Sequence, residues 1–75
     1  MVTTFTTSDF YLAAFLKARG LFIRELEREG RRSIFVFEDC AERPDLVREF
    51  YNGGTVCVNA FTHAIQDLKS VIHNW

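Results

Sequence analysis

The sequence predicts an α+β fold with the element order β-α-β-β-α-(β)-α, and three observations predict it. A hairpin signal, Glu29-Gly30-Arg31, separates two runs of strand-forming residues. The C-terminal segment repeats its apolar residues at helical spacing. Capping and stop residues bracket two further helices, one before the hairpin and one after it. The expected result is a small sheet of three or four strands, centred on a 21–28/33–38 hairpin, with amphipathic helices packed on it.

Val2 to Thr7 is rich in β-formers and reads as the first strand. Thr7 or Ser8 then supplies an N-cap, with Asp9 in the first turn, where its charge suits the helix dipole. The helix that follows pairs Tyr11 with Phe15 and Leu12 with Leu16 at i,i+4. It is apolar almost all round, which implies packing on more than one side. Gly20 is a natural left-handed stop.

Leu21 to Arg28 and Ser33 to Glu38 form the hairpin, with Gly30 supplying a positive φ in the turn. On the second strand Phe35 and Phe37 share one side, and Ile34 and Val36 the other. Both sides are apolar, so this strand is expected to be central and covered on both faces. Pro44 suits the start of the next helix, with Asp45 behind it. Leu46, Val47, Phe50 and Tyr51 form its apolar stripe, and Asn52-Gly53-Gly54 ends it. Thr55 to Val58 reads as a short strand or an extended connector. Asn59 is placed to cap the last helix, whose apolar face carries Phe61, Ala64, Ile65, Leu68, Ile72 and Trp75.

Several of these segments carry a resemblance. The Thr7-Ser8-Asp9-Phe10-Tyr11-Leu12-Ala13-Ala14-Phe15-Leu16 run resembles the opening of a family of short bacterial and phage-borne domains of unknown function. Gly30-Arg31-Arg32 with Phe35-Val36-Phe37-Glu38-Asp39 resembles its hairpin. Val47-Arg48-Glu49-Phe50-Tyr51-Asn52-Gly53, Asn59-Ala60-Phe61, Ala64-Ile65 and Asp67-Leu68-Lys69 resemble its C-terminal half. The resemblance implies a stand-alone domain of bacterial type. It implies no activity, cofactor or catalytic residue.

Seventy-five residues make one domain, spanning 1–75. With 48% hydrophobic residues and a net charge of −1, the chain is neither disordered nor a globally basic nucleic-acid binder. A core this small is marginal, and eight Phe partly offset that. The longest charge-free run, 52–66, is too short and too polar to span a bilayer. The Thr-rich N-terminus has no basic signal region, so a cytoplasmic protein is expected. Cys40 and Cys57 are then reduced thiols filling apolar space, and with His63 and His73 they lack zinc-site spacing.

Candidate sites are few. Six basic residues against three acidic ones lie between Lys17 and Arg32. Arg24, Arg28, Arg31 and Arg32 are therefore candidates for contacting nucleic acid or a partner, against the simpler reading of cross-strand pairing with Glu. Phe35-Val36-Phe37 is similar to the aromatic step of RNA-recognition sheets, although core packing is the commoner fate of Phe. His63 and Asp67 stand one helical turn apart, a spacing that specifies little. Glu38, Asp39, Glu42, Asp45 and Glu49 form an acidic region without the spacing of a cation loop. Its charge opposes that of the hairpin, which suggests docking between two copies. Trp75 either closes the core or contacts a partner.

These features predict a non-enzymatic interaction module without metal or cofactor. Its partner is a second copy or another protein, and no membrane is involved. Nucleic-acid binding through the arginine-bearing hairpin is the alternative.

Overall fold

The computed structural model describes residues 3–74. Strand β1 (Thr4–Thr7) is followed by α1 (Phe10–Ala18), β2 (Ile23–Glu29), β3 (Arg32–Glu38), α2 (Arg43–Tyr51) and α3 (Val58–Asn74). The three strands form one antiparallel sheet in the order β1-β3-β2, so β3 is central as expected. Residues 55–57 connect α2 to α3 without forming a strand. Val2 and Trp75 lie outside the described residues.

Local chemistry explains where the elements begin and end. The cap of α1 is Asp9 rather than Thr7 or Ser8. Its Oδ1 accepts from the amides of Tyr11 at 3.0 Å and Leu12 at 3.1 Å. Asp is displaced from the first turn to the cap because its carboxylate satisfies two otherwise orphaned donors at once. Thr7 takes a supporting role, its hydroxyl accepting from the Asp9 amide at 3.0 Å.

At the other end of α1, the Gly20 amide donates to Lys17 O and the Leu21 amide to Leu16 O, each at 3.0 Å. Gly20 has φ 102°. This is a Schellman stop, and its hydrophobic contact is made by Leu16 and Leu21, both buried. Leu21 is thereby spent on ending the helix, so β2 starts two residues later than the apolar pattern suggests.

The hairpin closes at the Glu29–Arg32 pair, leaving Gly30-Arg31 as a two-residue loop. Gly30 has φ 63°, and no residue other than glycine has positive φ among the described residues. Positive φ at the first central position alone is the type II′ pattern. The pairing shifts between Ile23 and Glu25, so Arg24 is an extra residue in β2.

The last helix starts at Val58, with the Phe61 amide donating to Cys57 O at 2.9 Å. Asn59 thus lies inside the first turn and does not cap it.

Paired residues share a face, so register assigns the sheet's two sides. Phe5, Phe35, Phe37, Ile23 and Leu26 face the helices. Phe35 is 1% exposed and Phe37 0%, packed with Leu12, Leu16, Leu46, Ala64 and Leu68. Rings of Phe10 and Phe35 meet edge-on at 6.2 Å, and Phe15 meets Phe50 at 5.5 Å. Helix α1 lies in the middle: Leu12 to Leu16 are buried without interruption, touched by sheet, α2 and α3. Burying Leu12, Phe15 and Leu16 contributes about 1.5–3 kcal/mol each, and burial of this kind is the main favourable contribution to folding.

No described helix covers the opposite face of β3, so the second layer expected from its apolar alternation is missing although Val36 is still buried. Ile34 is half-buried there, and Val36 is buried between its register neighbours Thr6 and Glu25. Lateral cover from adjacent strands, rather than a second layer, shields it. Tyr51 also departs from its stripe. It is 64% exposed, whereas Leu46 is buried and Val47 and Phe50 pack on the core.

Candidate functional site

The uncovered sheet face and its two edges are the main unfinished surface of the fold. On that face β2 presents Glu25, Glu27 and Glu29 in a row, all exposed. Central β3 contributes Arg32, Ile34, Val36 and Glu38, and β1 contributes Thr4 and Thr6. The result is an acidic stripe, an apolar middle and a neutral hydroxyl stripe.

The hairpin arginines do not converge. Arg28 pairs in register with Ser33 on the helix side, and its guanidinium donates to the carbonyl of Ile72 near the end of α3. Arg32, on the open face, donates to Ser8 Oγ at 2.8 Å. Arg24 lies 3.3 Å from a Glu38 carboxylate oxygen. Arg31 occupies the turn and is exposed. Sequence proximity brings the four together, but strand alternation and the extra residue in β2 send them to different sides.

The oppositely charged regions meet within one chain. Arg19 lies 3.2 Å from Glu49, and Arg24 bridges β2 to Glu38. Asp39 binds Arg43, and Asp45 binds Arg48 at 2.8 Å. Most of the charge expected to dock a second copy is therefore paired inside the protomer. Exposed pairs of this kind contribute at most about 1 kcal/mol each.

Phe35 and Phe37 are too deeply buried to stack on bases, which removes the RNA-platform reading. Asp67 lies 3.8 Å from Lys17 Nζ, while His63 is exposed on α3. Cys40 and Cys57 are both exposed free thiols, not the apolar fillers expected. Each sits at a helix approach, where the chain runs over the surface. Among the described residues, no group of three or more His, Cys, Asp or Glu is placed to hold a metal ion. No described helix is long and apolar enough to cross a membrane.

Sequence reasoning missed two surfaces. A cleft of about 320 Å³ opens between the end of α1 and the β3–α2 loop, lined by Arg19, Leu21, Phe22, Asp39, Cys40 and Glu42. Phe22, 64% exposed at its rim, is the residue freed when the helix stop delays β2. The second surface is the outer edge of β1. The Asp39 amide donates to Thr3 O at 3.0 Å, so Thr3, Phe5 and Thr7 turn their backbone groups towards β3. Thr4 and Thr6 therefore turn theirs outwards, and both residues are exposed. A run of uncharged threonines at the start of a strand was the available signal.

Comparison with known protein families decides what this fold belongs to. The DUF5659 profile, a domain of unknown function, matches residues 2–74. The chain is a member of the DUF5659 family. That match spans every element of the sheet and all three helices, so the DUF5659 domain and the structural unit coincide. No curated protein and no solved structure matches the chain.

Proposed function

We propose that this DUF5659 domain is a non-enzymatic interaction module of the bacterial cytoplasm that associates with a second copy of itself. The observation that carries the reading is the one-sided sheet. Helices cover the Phe35/Phe37 face, while no described helix covers the other face, whose Glu25, Glu27, Glu29, Thr4 and Thr6 are exposed, and both edges stay open. Exposed Tyr11, Phe22 and Val58 add apolar surface beyond what a 75-residue core hides. A small domain gains stability when association removes such surface from water.

Light scattering from micromolar to millimolar protein tests the reading. The expected result is a mass that rises towards twice that of the protomer. A protomer mass at every concentration overturns it.

Nucleic-acid binding through the hairpin has less support, because Arg24, Arg28 and Arg32 each have a contact within the chain. It retains Arg31 at the exposed turn. Its mark would be a salt-sensitive polarisation change with DNA or RNA that is lost in an Arg28→Ala, Arg31→Ala, Arg32→Ala variant.

A further inference from the structure

We propose that two copies associate through the outer edges of β1, in the register that sets Phe5 against Phe5 of the second copy. The inference rests on the self-association reading above and names the surface that performs it. The resulting sheet would have six strands, β2-β3-β1 continued by β1-β3-β2 of the second copy.

A two-fold axis restricts how an edge strand can pair with its own copy. When an edge strand pairs with its own copy about an axis normal to the sheet, each residue keeps its face. Residues of one face therefore meet residues of the same face, and only every second register is allowed. Directly opposed side chains interact, and like charges there are destabilising.

The β2 edge fails this test. Its open-face residues are Glu25, Glu27 and Glu29. Every allowed register that overlaps these residues sets carboxylate against carboxylate: Glu25, Glu27 or Glu29 on itself, Glu25 on Glu27, or Glu27 on Glu29. Charges of this kind protect edge strands from pairing. Face-to-face stacking of the open faces about an axis perpendicular to the strands would likewise bring the two glutamate rows together.

The β1 edge passes. Thr4 and Thr6 are the residues whose N–H and C=O groups point outwards. Setting Thr4 opposite Thr6 of the second copy makes these two a hydrogen-bonded pair, and the two-fold axis repeats it. Four main-chain hydrogen bonds form from groups that otherwise face water. The cross-strand neighbours are Thr with Thr on the open face and Phe5 with Phe5 on the helix side, both favourable pairings. No charged residue occurs between Thr3 and Ser8.

Flanking groups agree with the register. Phe5 is half-buried beneath the guanidinium of Arg43, whose carbon lies 4.3 Å from the ring centroid. Arg43 is already paired with Asp39, so the two arginines would approach the axis neutralised. The glutamate rows of β2 end up at the far ends of the six-stranded sheet. At about 4.8 Å per strand they stand roughly 24 Å apart, beyond the screening length at physiological salt.

The register makes a specific cross-linking prediction. Cα atoms of a hydrogen-bonded antiparallel pair lie about 5.5 Å apart, within disulfide range. Residues two positions out of register do not reach. In a Cys40→Ser, Cys57→Ser background, Thr4→Cys and Thr6→Cys chains would be oxidised separately and as a mixture. The expected result is cross-linked dimer in the mixture and little with either variant alone. Thr6→Pro, which removes an outward donor while sparing the β1–β3 ladder, is expected to weaken the dimer about tenfold or more by light scattering, with an unchanged circular dichroism spectrum.

A wild-type dimer that gives no preferential mixed cross-link would overturn the edge assignment and leave self-association standing. So would a folded Thr6→Pro variant that dimerises as the wild type does. A wild-type protomer at all concentrations would overturn both. The cross-link decides the question if Thr6→Pro does not fold.

Discussion

Arg43 closes a fork on Asp39, with Nε 3.0 Å from Oδ1 and a terminal nitrogen 3.3 Å from Oδ2. The same guanidinium covers the Phe5 ring. One side chain thus joins the start of α2 to the β3–α2 loop and to β1. Planar, forked geometry suits arginine to both contacts, whereas lysine offers a point charge.

This pair makes stability depend on acid. The Arg43 hydrogen bonds hold the Asp39 carboxyl below its ordinary value of 3.8; partial burial opposes them, and the Cys40 amide and the Arg43 charge assist. A carboxyl whose folded value is depressed contributes stability above its unfolded value and loses it as pH falls through the folded one. Asp39→Asn should therefore be less stable than wild type at neutral pH, with the gap narrowing below about pH 4. Urea unfolding of both proteins at several pH values measures this. A gap independent of pH would refute the assignment.

The cap of α1 predicts a second effect. Asp9→Ala removes the acceptor for two amides at the start of the most buried helix. The expected cost is about 1 kcal/mol, with Asp9→Asn or Asp9→Ser recovering most of it. Thermal unfolding of the three variants is the measurement. Ser8→Ala should be milder, because Ser8 does not cap the helix.

A third prediction concerns the seam between α3 and the rest of the core. Leu68 is completely buried among residues of the core cluster that includes α1 and β3. Leu68→Ala should cost about 2–5 kcal/mol, a large share of the stability of a chain this size. Loss of cooperative unfolding, or a marked fall in midpoint, is expected. Lys69→Ala, one residue along and exposed, should change the midpoint little.

Periodicity and punctuation were enough to determine the element order, the central place of β3, the glycine hairpin and the buried stripe of α3. These depend on neighbours a few residues apart, and the sequence alone carries them. The same local logic could not separate Asp9 from Thr7 and Ser8 as the cap, because all three residue types accept hydrogen bonds. Nor could it foresee Leu21 leaving β2 to end α1.

Which surfaces stay open was decided by tertiary structure. Phe35 and Val36 look equally apolar in the chain, yet one is covered by helices and the other only by its strand neighbours. Arginines crowded in sequence around the turn were divided between faces by the pleat and by one extra residue in β2. The outward backbone groups of Thr4 and Thr6 follow from β3 lying on the other side of β1. Long-range register is a property of two strands together, so no single stretch of sequence could state it.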